Sequence, residues 1–310
     1  MDDLVMIGPM MPNVMQAVAE NFDIHRYWQA DDKAAFLKQH QAARFLATDG
    51  HLGCSAALMD ALPNLEIIAC YGVGTDSIDL DAAKQRGIRV TNTPDVLSDA
   101  VAELAMGLML ALCRRISDAD RFVREGKWPN GGYPLTGELT GATIGILGLG
   151  RIGKEIARRA QAFKMQVVYH GRTRQRFEPY PFYDNLEEMA HDADWLVSVV
   201  PGGDATTGLV NRQVLQALGP KGVVVNLGRG SLIDEPAMIE LLKSGDLGGA
   251  ALDVFENEPA MPQELWSMPN VVLSPHQGSA TEKTRWAMGD LVVRNLRAHQ
   301  AGMPAITPVV

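Results

Sequence analysis

Gly148-Leu149-Gly150-Arg151-Ile152-Gly153 follows Thr143-Ile144-Gly145-Ile146-Leu147, which reads as a short buried strand. It opens Arg151 to Phe163, which reads as a helix, and Met165-Gln166-Val167-Val168-Tyr169-His170 reads as the next strand. A lone G-x-G-x-x-G is weak, but within a strand–turn–helix–strand unit of about 30 residues each glycine has a physical task. Gly148 allows the tight turn, Gly150 lets the backbone approach a pyrophosphate, and Gly153 lets helix and strand pack closely. Phosphates would sit at the helix N-terminus, where N–H groups lacking helical partners and the helix dipole favour negative charge. The ordinary alternative is a glycine-rich turn with no ligand.

Units that bind NAD place Asp or Glu about 20 residues further on, at the end of the second strand, to hold the ribose 2′-OH. Here that strand runs into His170-Gly171-Arg172-Thr173-Arg174-Gln175-Arg176, with no carboxylate before Glu178. The chain carries a net charge of −9, so three arginines within five residues reverse the sign locally. A guanidinium grips a phosphate bidentately, and Thr173 offers a hydroxyl beside it. Arg172 and Thr173 therefore read as a clamp for the 2′-phosphate of NADP. Arg176, and with it Arg174, reads more simply as part of a solvated basic loop.

At 310 residues the chain is long enough for two domains. Its composition, 46% hydrophobic and 21% charged, is that of a soluble globular protein. A pI near 5.3 argues against nucleic acid as the main partner. Cys54, Cys70 and Cys113 are odd in number and in no metal-binding spacing, so reduced thiols and no metal are expected. Met1-Asp2-Asp3-Leu4 is acidic and unlike a signal peptide, which suggests a cytoplasmic protein. Leu104 to Cys113 is uncharged but shorter than the ~20 residues a bilayer requires, so no membrane span is expected. It belongs to a helix over Ala100–Cys113 with Ser98 as N-cap and Asp99 in the first turn. A helix apolar all round must be buried on all sides, which places it between domains or at the centre of a homodimer.

From residue 143 strands and helices alternate. Six strands are expected, at Thr143–Leu147, Met165–His170, Trp195–Val199, Val223–Asn226, Gly249–Asp253 and Val271–Leu273. Helices fall at Arg151–Phe163, Leu186–His191, Asn211–Leu218 and Glu235–Ser244, and Phe255 to Asn270 reads as a proline-containing loop. The pattern fits a doubly wound parallel (Rossmann) sheet. The first 95 residues repeat the α/β theme without a phosphate fingerprint, with strands at Leu4–Ile7, Ile24–Tyr27, Ala43–Ala47, Ile67–Cys70 and Ile88–Thr91. The last helix, Glu282 to Gln300, can return to this first domain. A discontinuous, flavodoxin-like substrate domain over 1–96 and 282–310 would then hold a nucleotide domain over 97–281 as an insert. Substrate would bind in the cleft at the carboxyl ends of the strands.

Three strand ends carry unusual groups. Arg229 lies in Asn226-Leu227-Gly228-Arg229-Gly230-Ser231, past the fourth strand of the second half. Asp253 and Glu258 lie in Asp253-Val254-Phe255-Glu256-Asn257-Glu258-Pro259, and His276 in Ser274-Pro275-His276-Gln277-Gly278-Ser279. Singly, each has an ordinary explanation as a surface turn, a solvated charge or a satisfied loop histidine. Their convergence on the sheet edge that carries the glycine loop is less easily ordinary.

These segments, in this order, resemble the active-site segments of the D-2-hydroxyacid dehydrogenase family. Tyr71-Gly72-Val73-Gly74-Thr75-Asp76-Ser77-Ile78-Asp79 resembles that family's substrate loop. Asn92-Thr93-Pro94-Asp95-Val96-Leu97-Ser98 and Gly126-Lys127-Trp128-Pro129 are most similar to its glyoxylate/hydroxypyruvate reductases. The resemblance implies reduction of small 2-oxo acids, with Arg229 gripping substrate and His276, paired with Glu258, acting as general acid. Backbone N–H groups of Val73 and Gly74 would complete the carboxylate site. It further implies a cofactor set of Gly148, Gly150, Arg151, Ile152, Gly153, Arg172, Thr173, Pro201, Asp253 and Gly278, with Asp253 orienting the nicotinamide carboxamide. An irregular arm from Gly126 to Pro134 would reach over a partner subunit. The basic loop at 170–176 disfavours 3-phosphoglycerate dehydrogenase, and a histidine partnered by glutamate disfavours formate dehydrogenase. A nucleotide-sensing, corepressor-like protein on the same fold carries the same three residues and stays open, as does a larger 2-oxo acid as substrate.

Overall fold

The computed structural model describes residues 1–310, which form two compact units: Met1–Leu97 with Ser279–Val310, and Ser98–Gly278. In the first, five parallel strands, β1 (Asp2–Met6), β2 (Phe22–Arg26), β3 (Phe45–Asp49), β4 (Ile67–Tyr71) and β5 (Arg89–Thr91), lie in the order β2-β1-β3-β4-β5. That is the flavodoxin-like order. Helices α1 (Pro12–Ala19), α2 (Lys33–Gln39), α3 (Ala56–Ala61) and α4 (Leu80–Gln85) connect them. β4 is buried along its whole length, as expected of a parallel strand covered on both faces. Asp32, Ser55 and Asp79 cap α2, α3 and α4 by accepting the N–H groups of Ala35, Leu58 and Ala82.

The terminal helix Glu282–Gln300 packs on β4 and α1, and a side chain at Gly289 would place its Cβ 2.2 Å from Val14. Near its other end, His299 Nε2 lies 2.8 Å from Glu66, which also takes two 2.8 Å hydrogen bonds from Arg44. The Arg44 guanidinium, helped by His299, holds the Glu66 carboxyl down at about 2, against an ordinary 4.5. A carboxyl depressed in the folded state adds stability that is complete above its unfolded value and lost as pH falls toward its folded one. Glu66→Gln is therefore expected to lower stability at neutral pH, with the difference from wild type vanishing between about pH 4.5 and 2. Both side chains are over 40% exposed, so solvent screening limits the effect to about 1 kcal/mol. Urea melts at a series of pH values would show it; a pH-independent difference would contradict the assignment.

The second unit holds seven parallel strands: β6 (Thr143–Leu147), β7 (Gln166–His170), β8 (Phe182–Tyr183), β9 (Trp195–Ser198), β10 (Val223–Asn226), β11 (Gly249–Leu252) and β12 (Val271–Leu273). Their order is β12-β11-β10-β9-β6-β7-β8, a Rossmann arrangement whose winding reverses between β6 and β9. Its helices are α5 (Ser98–Cys113), α6 (Ile116–Arg124), α7 (Arg151–Ala162), α8 (Leu186–Asp192), α9 (Arg212–Leu218) and α10 (Glu235–Ser244). Leu196, Val224 and Ala250, from three adjacent strands, are fully buried in one apolar cluster with Met189, Leu215 and Met238 from helices α8 to α10.

Three expectations change here. The sheet has a seventh strand, β8, whose two residues are too few to show any periodicity. Helix α6, for which no helix is expected from the sequence, follows directly on α5; Arg115 adopts a left-handed backbone, φ 50°, and turns the chain. Finally, α5 is not bare on all sides. It packs on α7 and on β10 to β12, and its exposed residues Asp99, Glu103 and Gly107 recur every four positions as one polar stripe. Arg159 of α7 pairs with Asp99 at 2.7 Å. Leu104, Leu110, Leu112 and Cys113 stay half-buried, so these contacts cover only part of the apolar run. No helix is long and apolar enough to cross a membrane.

Candidate active site

Parallel pairing aligns Asn226 with Leu252 and Leu252 with Leu273, so the loops after β10, β11 and β12 leave the same edge side by side. Glycine loop 148–153, after β6, leaves that edge too, at the reversal of winding where ligands of open α/β sheets bind.

Backbone contacts, more than side chains, draw these loops together. A Cβ at Gly230 would fall 1.8 Å from the Phe255 carbonyl carbon, so the Arg229 turn lies flush against the chain leading to Glu258. Val200 forms a common wall: a Cβ at Gly148 would meet its side chain at 2.6 Å, and one at Gly228 its carbonyl at 2.7 Å. Pro201 follows directly. Asn226, 1% exposed, donates to the Arg229 carbonyl at 2.8 Å and accepts from Gly228 N–H at 3.1 Å, shaping the turn that presents Arg229. The half-buried Arg229 guanidinium is anchored by a 2.9 Å hydrogen bond to the Gly228 carbonyl.

His276 and Glu258 meet. His276 Nδ1 lies 2.7 Å from Glu258 Oε2, and Glu258 Oε1 accepts the Phe255 N–H at 2.9 Å. The carboxylate is thus fixed by its own loop while it orients the ring and leaves Nε2 on the opposite edge. His276 itself has φ 49°, an uncommon conformation for a residue with a side chain, and of a kind that concentrates at functional sites. Asp253 holds it there. This carboxylate, 1% exposed, accepts from the Ser274 hydroxyl at 2.5 Å and from the Gln277 and Gly278 N–H groups at 2.8 Å each. The Asp253 carbonyl accepts the His276 N–H at 2.8 Å. The observed task of Asp253 is to pin the histidine turn, a role its place in the sequence does not disclose. Sequence reasoning also misses Asn226, Ser274 and the buried Glu235. Glu235 accepts the Glu256 N–H at 3.3 Å, and burial pushes its carboxyl above the usual range. A polar residue at the buried end of an apolar strand is the one signal that marks Asn226.

The glycine loop suits a dinucleotide. Gly148 has φ 99°, and at Gly153 a Cβ would lie 2.2 Å from the Gly148 carbonyl, so neither tolerates a side chain. At Gly150 a Cβ would meet nothing within 4 Å, which leaves open space above the backbone that begins α7. The N-cap residue Gly150 has no side chain to cap that helix, so its first turn begins beside this open space. Arg172, Thr173 and Arg174 are exposed on the loop after β7. Arg176 lies over the Phe177 ring at 5.6 Å, and Glu178 pairs with Lys154 at 2.8 Å.

Val73 and Gly74 belong to the first unit, on the loop after β4. The Gly72 carbonyl accepts the Thr93 N–H and the Val73 carbonyl accepts Asn92 Nδ2, both at 2.9 Å. A trans peptide points its N–H away from its C=O, so the N–H groups of Val73 and Gly74 are turned away from those two bonds.

Comparison with known proteins agrees with this geometry. The model of the D-isomer specific 2-hydroxyacid dehydrogenase NAD-binding domain matches residues 106–278. Glyoxylate/hydroxypyruvate reductase A of Arabidopsis thaliana is 47% identical over 99% of this chain and 98% of its own. Hydroxyphenylpyruvate reductase of Plectranthus scutellarioides is 46% identical over the same shares. Among solved structures, the NADPH-dependent glyoxylate/hydroxypyruvate reductase of Sinorhizobium meliloti, in complex with NADP and malonate, superposes with a TM-score of 0.93. It is 42% identical, with 100% of this chain and 97% of that one covered. The chain belongs to the D-isomer-specific 2-hydroxyacid dehydrogenase family, in its glyoxylate/hydroxypyruvate reductase group.

Proposed function

We propose that the protein is an NADPH-dependent reductase of small 2-oxo acids, glyoxylate and hydroxypyruvate among them, and that it forms D-2-hydroxy acids. The observation that carries this reading is the His276–Glu258 pair, 2.7 Å apart, on a loop beside the Arg229 turn. A bound nicotinamide nucleotide supplies the hydride. Arg229, permanently charged, binds the substrate carboxylate and steadies the negative charge that grows on the carbonyl oxygen. His276, oriented by Glu258, delivers a proton to that oxygen from Nε2, and Asp253 keeps the ring's backbone in place. The roles of the Val73 and Gly74 N–H groups in carboxylate binding, and of Pro201, Asp253 and Gly278 beside the nucleotide, rest on family resemblance. Cytoplasmic placement follows from composition and belongs to the same proposal.

A larger substrate has support of its own, because one relative at 46% identity is named for hydroxyphenylpyruvate and another, at 40%, is a 2-ketogluconate reductase. Following NADPH oxidation with glyoxylate, hydroxypyruvate, phenylpyruvate, hydroxyphenylpyruvate and 2-ketogluconate would rank them. D-glycerate is the expected product from hydroxypyruvate; chiral analysis that returned L-glycerate, or no turnover of any of the five, would overturn the reading.

The proposal includes a homodimer with α5 at its centre and the irregular segment after α6 reaching over the partner. Ile116, Val123, Trp128 and Leu135 are each more than half exposed along α6 and the irregular segment after it. Large apolar side chains clustered in one stretch of surface mark contact sites. Obligate dimers commonly bury more than about 2,000 Å² and hold at micromolar concentration. Light scattering should return twice the 33.6 kDa chain mass; a single-chain mass would rule the dimer out.

A further inference from the structure

Both ends of the arginine-bearing loop are bonded to adjacent residues of the glycine fingerprint. At the near end, the His170 carbonyl accepts the Gly148 N–H at 2.9 Å. At the far end, Gln175 Nε2 donates to the carbonyl of Leu149. The Gln175 backbone N–H donates in turn to the hydroxyl of Tyr169 at 2.7 Å, and the Tyr169 ring is almost wholly buried, 1% exposed, in β7. Between these ties lie only Gly171, Arg172, Thr173 and Arg174, the last three exposed.

We infer that Gln175 is a positioning residue for cofactor choice: it staples the Arg172–Thr173 turn to the pyrophosphate loop and so fixes the distance between two phosphate subsites. The inference rests on the reading of Arg172 and Thr173 as the 2′-phosphate clamp. A cofactor carrying both a pyrophosphate and a 2′-phosphate binds with one rigid spacing, and a guanidinium free to wander loses ordering entropy each time it engages. Arginine alone supplies the charge; the staple supplies the register. Tyr169 serves from below, because its hydroxyl is the acceptor that turns the Gln175 backbone toward the glycine loop. An amide is suited to this place. It can donate to the Leu149 carbonyl without adding the negative charge that a glutamate would set beside a phosphate.

The test is calorimetric titration of the full chain with 2′,5′-ADP, which carries a 2′-phosphate beside its 5′-phosphate, and with 5′-AMP, which lacks only the 2′-phosphate. Gln175→Leu keeps the bulk and removes the donor. It is expected to weaken 2′,5′-ADP by about five- to tenfold, the range of one lost hydrogen bond, with 5′-AMP changed less than about twofold. Tyr169→Phe, which retains the buried ring, should move the same ratio in the same direction and keeps the test open should Gln175→Leu fail to fold. Equal weakening of both ligands would mean that Gln175 merely supports the glycine loop, and no change in either would mean that the staple is irrelevant; both overturn the inference. Arg172→Ala separates it from its parent: if that variant loses 2′,5′-ADP selectively and Gln175→Leu does not, the clamp stands and the staple falls. If Arg172→Ala leaves the ratio unchanged, both fall.

Discussion

His276→Asn is expected to lower kcat for 2-oxo acid reduction by about 10²–10⁴-fold while nucleotide binding is retained. Asparagine keeps polar atoms at the position but has no proton of suitable acidity to give. The backbone there should persist, because it is held from outside the side chain, by the Asp253 carbonyl on the His276 N–H and the Asp253 carboxylate on the two residues that follow. Asparagine also accepts a left-handed φ more readily than most residues, which suits the φ of 49° found there. Glu258→Gln is the companion variant. Removing the carboxylate takes away the charged acceptor that orients the His276 ring, so kcat should fall while nucleotide binding holds. An unchanged kcat in Glu258→Gln would show that the pair, although 2.7 Å apart, is not coupled in catalysis. A His276→Asn enzyme within tenfold of wild-type kcat would remove His276 as the proton donor.

Much of this arrangement is legible in the amino-acid sequence, for reasons that vary by element. The Rossmann unit declares itself because the glycine fingerprint, two apolar strands and a helix fall within one short stretch, and each constrains the others. The five strands of the first unit show as brief apolar runs between turn residues. What escapes is structure whose cause is not local. β8 is two residues long and exists because β7 offers an edge to pair with. Asp253 looks in sequence like a ligand-facing carboxylate at a strand end. Only the folded loop shows three donors converging on it from residues 274 to 278, more than 20 positions away in sequence. The apolarity of α5 does not say what covers it: α7 and its own sheet take one side, while Asp99, Glu103 and Gly107 stay exposed, a matter of tertiary packing that hydropathy cannot answer. The pairing of His276 with Glu258 can be nominated by resemblance alone, since a separation of 18 residues says nothing of contact.

Cofactor choice should reverse at a single position. Arg172→Asp is expected to raise the apparent KM for NADPH by about 10- to 150-fold, the loss of a bidentate phosphate contact being worth about 1.5–3 kcal/mol. KM for NADH should hold or fall, because a carboxylate at the end of the second strand is what dinucleotide folds use to hold a ribose 2′-OH. Thr173 and Arg174 remain as polar neighbours, so the change is a substitution of sign at one point on an otherwise unaltered loop. The loop is exposed and Arg172 makes no contact in the apolar core, so folding should be untouched. Glu178 cannot supply the missing carboxylate in the wild type, being paired with Lys154 at 2.8 Å. The wild-type enzyme is the sharper control. If it oxidises NADH and NADPH with equal kcat/KM, the three arginines are an ordinary basic surface and the clamp does not exist, whatever the variant does.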